Sequence, residues 1–236
     1  MVPILLMSLL LSCAVVANQK PTVVLLHGLG RTGESMKPVE RRLVDEGYRV
    51  VNITYPSRSH DIDSLTSIVL AQIQETVPDA ADPLDFVTHS MGGIVLRALA
   101  TYPQAPPIRR AVMIAPPHHG SEIVDQTGDW WLFETLVGPA GRELGTDDDS
   151  APQRLPPPDF EFGVIAGSGE PSPVFSDILP GDDDGRVSVA STRIEGMADH
   201  IVLTHGHTSL LWSVSCHDQI VAFLKTGSFQ RSGRVE

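Results

Sequence analysis

The chain has 236 residues, 42% of them hydrophobic and 19% charged. It is too apolar to be disordered and of a size for one domain that folds without disulfide or metal staples. Lys and Arg number 17 against 29 Asp and Glu, a net charge of −12. That field repels phosphate and argues against nucleic acid and anionic membrane surfaces as partners.

The first element in chain order is an apolar stretch from Pro3 to Ala17. It is shorter than the roughly 20 residues a membrane-spanning helix needs. It suits a secretory h-region closing on small residues, with Val15-Val16-Ala17 as the cleavage site. Leu10-Leu11-Ser12-Cys13 also matches a lipoprotein box, in which Cys13 would carry the lipid. We therefore expect residues 1–17 to be a signal peptide or lipoprotein leader and 18–236 to be the domain. The protein would be periplasmic, secreted or lipid-anchored at Cys13, and any membrane association would come through that leader or lipid anchor. The other cysteine, Cys216, reads as a packed small residue rather than a nucleophile.

Thr22 to Leu26 is an unbroken apolar run, a strand buried on both faces. Met36, Val39, Leu43 and Val44 recur at helical spacing before Gly47. Tyr48 to Tyr55 is rich in strand formers, and Ile62, Leu65, Ile68, Val69 and Ile73 form the next helical stripe. Leu84 to Val87 predicts a short strand and Ile94 to Tyr102 a helix closed by Pro103. Ala111 to Ile114 and Gly163 to Ala166 predict further strands, with Val187 to Val189 and Ile201 to Leu203 as weaker ones. Ile220 to Leu224 belongs to a final helix. Alternating helices and buried strands predict an α/β domain, a mostly parallel sheet with helices on both faces.

Residues 121–159 break this rhythm. They hold Trp130-Trp131-Leu132-Phe133, the acidic run Asp147 to Asp149, and Pro156-Pro157-Pro158. Long insertions in compact domains are often lids, so we expect a short cap over the site, with Trp130 to Leu136 in it. The alternative is a pair of surface helices packed on the sheet. The acidic runs at 147–149 and 182–184 read by default as solvated loops.

The chemistry concentrates in Thr88-His89-Ser90-Met91-Gly92-Gly93, between a strand and a helix. A nucleophile elbow needs that setting: a serine on a strained turn, with small neighbours that let backbones pass closely. Thr88 stands where the G-x-S-x-G pattern has glycine. His27-Gly28-Leu29-Gly30 follows the first strand and can turn amides inward to hold an oxyanion. The N–H groups of Leu29 and of Met91, the residue after the serine, are the natural donors. An acid and a histidine follow in the order serine, acid, histidine. Among Asp182, Asp183 and Asp184 we prefer Asp184, because Asp184-Gly185 forms a tight turn that aims the carboxylate at a loop. Of His205 and His207 we prefer His207, at the loop end before Thr208.

With these motifs the chain resembles the α/β-hydrolase superfamily, and within it the compact bacterial lipases and esterases. His-Gly-Leu-Gly at 27–30, Thr-His-Ser-Met-Gly-Gly at 88–93, Pro-His-His-Gly-Ser at 117–121, Asp-Gly-Arg-Val at 184–187 and Gly-His-Thr at 206–208 occur in the family order. The resemblance implies an α/β-hydrolase fold, a Ser90–Asp184–His207 triad, an oxyanion hole at Leu29 and Met91, and cleavage of a small-molecule or lipid ester without cofactor or metal. Three rivals remain. An acyltransferase would use the same triad, and a binding module on this fold would have lost catalysis. A metallohydrolase would use His118, His119, His205 and His207, but no helix-borne His-Glu-x-x-His pattern supports it.

Overall fold

A computed structural model describes residues 21–78, 82–127, 138–170, 172 and 175–231. The leader predicted at 1–17 and the aromatic segment Trp130 to Leu136 lie outside the described residues.

Six strands form one sheet in the order β2-β1-β3-β4-β5-β6. They are β1 Thr22–Leu26, β2 Arg49–Ile53, β3 Leu84–His89, β4 Ile108–Ile114, β5 Glu161–Gly167 and β6 Asp199–Leu203. Every neighbouring pair is parallel. Between them run α1 Lys37–Asp45, α2 Ile62–Thr76, α3 Met91–Ala100 and α4 Glu122–Thr127, then a short helix Ala151–Arg154. A C-terminal helix, Val214–Thr226, follows a 3-10 turn at Ser209–Trp212.

The unbroken apolar runs of the sequence have a simple cause. Along a strand, side chains alternate between faces, and here each face has its own core. Val23, Leu25, Val87 and Val112 join Val39 and Leu43 of α1 and Phe223 of the C-terminal helix. Val24, Leu26, Phe86 and Met113 join Leu65 and Val69 of α2 and Ile94 and Leu99 of α3. Cys216 is fully buried in the first of these cores, and burial pushes its thiol up to about 12. Among the described residues no helix is long and apolar enough to cross a membrane.

Topology decides where a ligand can sit. From β1 the chain moves outward to β2, then returns across β1 to β3. The crevice beyond the C-terminal ends of β1 and β3 is the switch point at which open α/β sheets bind ligands. The loops after β1, β3, β4, β5 and β6 carry all the motifs singled out above.

Three expectations need correction. Val187 to Val189 is not a strand: these residues lie in the long β5–β6 connection, where among the described residues the only ladder contact is an isolated antiparallel bridge between Asp183 and Ser188. The Val187 N–H is taken by the Asp184 carboxylate at 2.9 Å, so it cannot serve a sheet. The run 182–184 is not a solvated loop either, since Asp183 and Asp184 are buried. Helix α3 begins at Met91, immediately after the serine as the elbow motif predicts, but ends at Ala100 rather than Tyr102.

The described parts of the 121–159 insertion are fastened to the body. Arg97 of α3, itself buried, donates to the carbonyls of His118, Pro152, Leu155 and Pro156. Glu143 accepts the Ile62 N–H at 2.7 Å, and Ala140 N–H donates to His60 O at 3.0 Å. Burial lowers the Arg97 guanidinium to about 10, still cationic at neutral pH, and four backbone dipoles take the place of a counter-ion.

Candidate active site

Ser90 joins β3 to α3 with φ 55° and ψ −127°, a conformation that costs a non-glycine residue about 1–3 kcal/mol. Its N–H is tied to Ile114 O on β4 at 2.8 Å, and no helix-capping bond uses its hydroxyl. The turn holds because α3 passes very close to β1. A methyl group built on Gly92 would stand 2.6 Å from Leu26 O and 2.8 Å from His27 O, so only glycine fits. Thr88, at the position of the first glycine, is fully buried, and an added methyl on Gly93 would stand 2.9 Å from Pro116 Cβ but only in ordinary contact with Thr88 Oγ1, at 3.4 Å.

The loop after β1 is held from behind. The Tyr55 N–H donates to His27 Nε2 at 3.2 Å, so the ring proton sits on Nδ1, which donates to Gly28 O at 2.8 Å. The two rings stack at 4.0 Å, the Tyr55 hydroxyl donates to His27 O, and Gly30 N–H donates to Ser57 Oγ at 3.0 Å. Between these anchors the Leu29 N–H makes no hydrogen bond with any described residue. The Met91 N–H is the first amide of α3 and has no intrahelical acceptor. Both amides are therefore free to receive an oxyanion, and the helix dipole adds to the pull on negative charge beside Ser90.

Asp184 and His207 meet across two loops. His207 Nδ1 donates to Asp184 Oδ2 at 2.8 Å, and His207 N–H donates to the Asp184 carbonyl at 2.8 Å. The other carboxylate oxygen, Oδ1, accepts the Arg186 and Val187 N–H groups at 3.0 and 2.9 Å. Burial alone would raise the Asp184 carboxyl; the His207 charge, its hydrogen bond and the two amides outweigh that and hold it below the usual range. The turn needs Gly185 at φ +87°, where an added methyl would also stand 2.8 Å from Glu170 O. Asp183 points elsewhere: its Oδ1 accepts from Ser176 Oγ and Gly185 N. His205 also turns away, with Nε2 on Ser213 Oγ at 2.9 Å.

A cavity of about 350 Å3 opens over these groups, lined by Leu29, Ser90 and His207 together. Pro117, Ile123, Val124 and Leu144 give it an apolar wall, so described parts of the 121–159 insertion reach the site. Of the metallohydrolase set, His118 is buried against Phe162, with neither ring nitrogen hydrogen-bonded among the described residues, and His207 is committed to Asp184. Sequence reasoning missed Arg31, Arg58 and Arg186, which also line the cavity. It missed as well that His89 Nε2 donates to the His207 carbonyl. Arg31 and Arg186 sit within or beside quoted motifs, but their convergence with Arg58 is a property of the fold.

Comparison with known proteins places this chain in a family. No curated protein matches the sequence. Solved structures of similar fold include the mature Bacillus licheniformis lipase BlEst2, 18% identical, with a TM-score of 0.70 over 89% of this chain and 93% of that one. The lin2722 gene product of Listeria innocua is 19% identical, with a TM-score of 0.61 over 90% and 96%. The metagenomic carboxyl esterase MGS0156 is also 19% identical, with a TM-score of 0.60 over 90% and 75%. At these identities the likeness shows the fold. The model of the alpha/beta hydrolase family matches residues 23–197, and the chain belongs to that family.

Proposed function

We propose that this hydrolase cleaves carboxylic esters through a Ser90 nucleophile, a His207 base and an Asp184 that orients the imidazole. The observation that carries the reading is the His207 Nδ1–Asp184 Oδ2 bond of 2.8 Å, with His207 lining the same cavity as a serine held at φ 55°. Ser90 Oγ attacks the ester carbonyl while its proton passes to His207 Nε2. Asp184 keeps the other ring proton on Nδ1 and stabilises the imidazolium. The tetrahedral oxyanion sits between the Leu29 and Met91 N–H groups, each such donor being worth about 10²–10³ in rate. The intermediate collapses when His207 returns the proton to the departing alcohol, and water then releases the acyl group by the same route.

The lipase and the carboxyl esterase among structures of similar fold support an ester substrate, and the apolar wall of the cavity supports an acyl chain on that side. The test is hydrolysis of p-nitrophenyl esters of increasing chain length. Turnover of the series, with a chain-length optimum set by the cavity, is the expected result. A protein that turned over none of them, though folded, would overturn the reading.

A further inference from the structure

The chain carries a net charge of −12, yet arginines line its cavity. Arg31 from the loop after β1, Arg58 from the loop after β2 and Arg186 from the loop after β5 all line it, and no Asp or Glu does among the described residues. Four arginines elsewhere take carboxylates: Arg42 pairs with Glu46 and Asp218, Arg109 with Asp85, Arg110 with Glu161 and Arg231 with Asp199, while Arg49 and Arg97 donate to backbone carbonyls. The cavity arginines form no ion pair with any described residue. In a chain with acids in excess, arginines without carboxylates at one opening are not explained by a shortage of acids. All three residues are exposed, and each guanidinium has more donors than its hydrogen bonds to described residues use.

Their placement relative to the chemistry is specific. A methyl group on Gly30 would stand 2.8 Å from Arg58 Nη2, so that guanidinium lies against the loop whose Leu29 N–H faces the oxyanion. Arg31 Nη2 donates to Thr208 Oγ1 at 3.4 Å, one residue from His207. The Arg186 N–H holds Asp184, the partner of His207. On the proposed mechanism His207 protonates the departing alcohol, so the alcohol half of the ester lies beside His207. Two of these arginines are anchored on that side, and the apolar wall of Ile123, Val124 and Leu144 remains for the acyl half.

We propose that the substrate is an ester whose alcohol half carries an anionic group, a carboxylate or a phosphate, recognised by Arg31, Arg58 and Arg186. This rests on the serine-hydrolase reading. Focusing by the local cations raises capture of an anion against the repulsion of the whole molecule.

Two substrate pairs test it. In the first, o-nitrophenyl butyrate is compared with its analogue bearing a carboxylate para to the nitro group. In the second, monobutyrylglycerol is compared with monobutyrylglycerol phosphate. The expected result is a kcat/KM about 10-fold or more higher for the anionic member of at least one pair, falling towards parity at about 0.5 M NaCl. The pair that responds identifies the oxyanion. Substituting Arg31, Arg58 and Arg186 by Gln, singly and together, should bring the anionic-to-neutral ratio to about one or below, with turnover of the neutral ester reporting that each variant is folded. Turnover without an anionic preference in either pair, or a preference that survives the triple substitution, overturns the inference and leaves the hydrolase reading standing. Turnover of neither member of either pair overturns both.

Discussion

His89 holds the backbone of His207. Its Nε2 donates to the His207 carbonyl at 2.9 Å, and the two rings lie 4.7 Å apart. A carbonyl can only accept, so the His89 proton sits on Nε2. Its Nδ1 has no hydrogen-bond partner among the described residues, and a methyl group on Gly28 would lie 3.1 Å from it. Burial, with the neighbouring His207 charge, lowers this imidazole to about 3, so it stays neutral at any working pH. A residue adjacent to the proposed nucleophile thereby ties the loop after β3 to the loop that carries the proposed base, and packs on the loop after β1.

His89 is on this account a positioning residue. His89→Leu removes the N–H and should lower kcat by up to about 10²-fold, the cost of a misplacement of about 1 Å, with KM little changed. His89→Gln keeps a side-chain N–H and should recover part of the loss. Steady-state kinetics on one neutral ester checks both. Equal loss in the two variants, tracking a common fall in Tm, would make the role one of packing alone.

The two buried acids of the Asp182 run should separate cleanly. Asp184→Asn reverses the hydrogen-bond demand on His207 Nδ1 and should cost about 10⁴ in kcat through the wrong tautomer. Asp183→Asn keeps the oxygen that accepts from Ser176 and Gly185, so it should be nearly silent. Asp183→Ala loses both bonds and should lower Tm with less effect on kcat. A damaging Asp183→Asn would mean that the acid is misassigned.

Stability should fall in mild acid, and the histidines say why. Burial holds His118 well below its ordinary value of 6.5 and, with the neighbouring His207 charge, lowers His89 to about 3. Between those folded values and 6.5 the unfolded chain binds more protons. Their contribution is therefore complete above pH 6.5 and is lost as pH falls, by about 1.4 kcal/mol per pH unit for each group. Urea unfolding at pH 7.5, 6 and 5 should show the decline. His118→Leu, which removes a ring with two unpaired nitrogens, should make the slope shallower by about one proton's worth. An unchanged slope would show that His118 does not titrate between the folded and unfolded states.

The parallel sheet was legible because its strands are short runs apolar on both faces, bounded by helical stripes. The motifs of the proposed site were legible because each is local: a serine before glycines at a strand end, a glycine pair in a turn, an Asp-Gly turn, a histidine after a strand. What was not legible depends on convergence. Arg31, Arg58 and Arg186 are far apart in sequence and meet only because β1, β2 and β5 end on the same edge. Val187 to Val189 has strand composition, but the competing acceptor for its first N–H is a side chain, Asp184, which strand propensity does not count. Thr88 departs from the glycine of the motif, yet Ser90 still takes the positive-φ turn with Thr88 fully buried beneath it.

Every role proposed for the site follows from Ser90 being the nucleophile. A fluorophosphonate probe followed by peptide mapping tests it directly, with p-nitrophenyl ester turnover measured on the same samples. The expected result is a single stoichiometric adduct on Ser90, no adduct in Ser90→Ala, and a loss on the order of 10⁶ in kcat in that variant with its fold intact. An adduct on another residue, or a Ser90→Ala protein that is labelled and turns over ester like the unmodified chain, would contradict it.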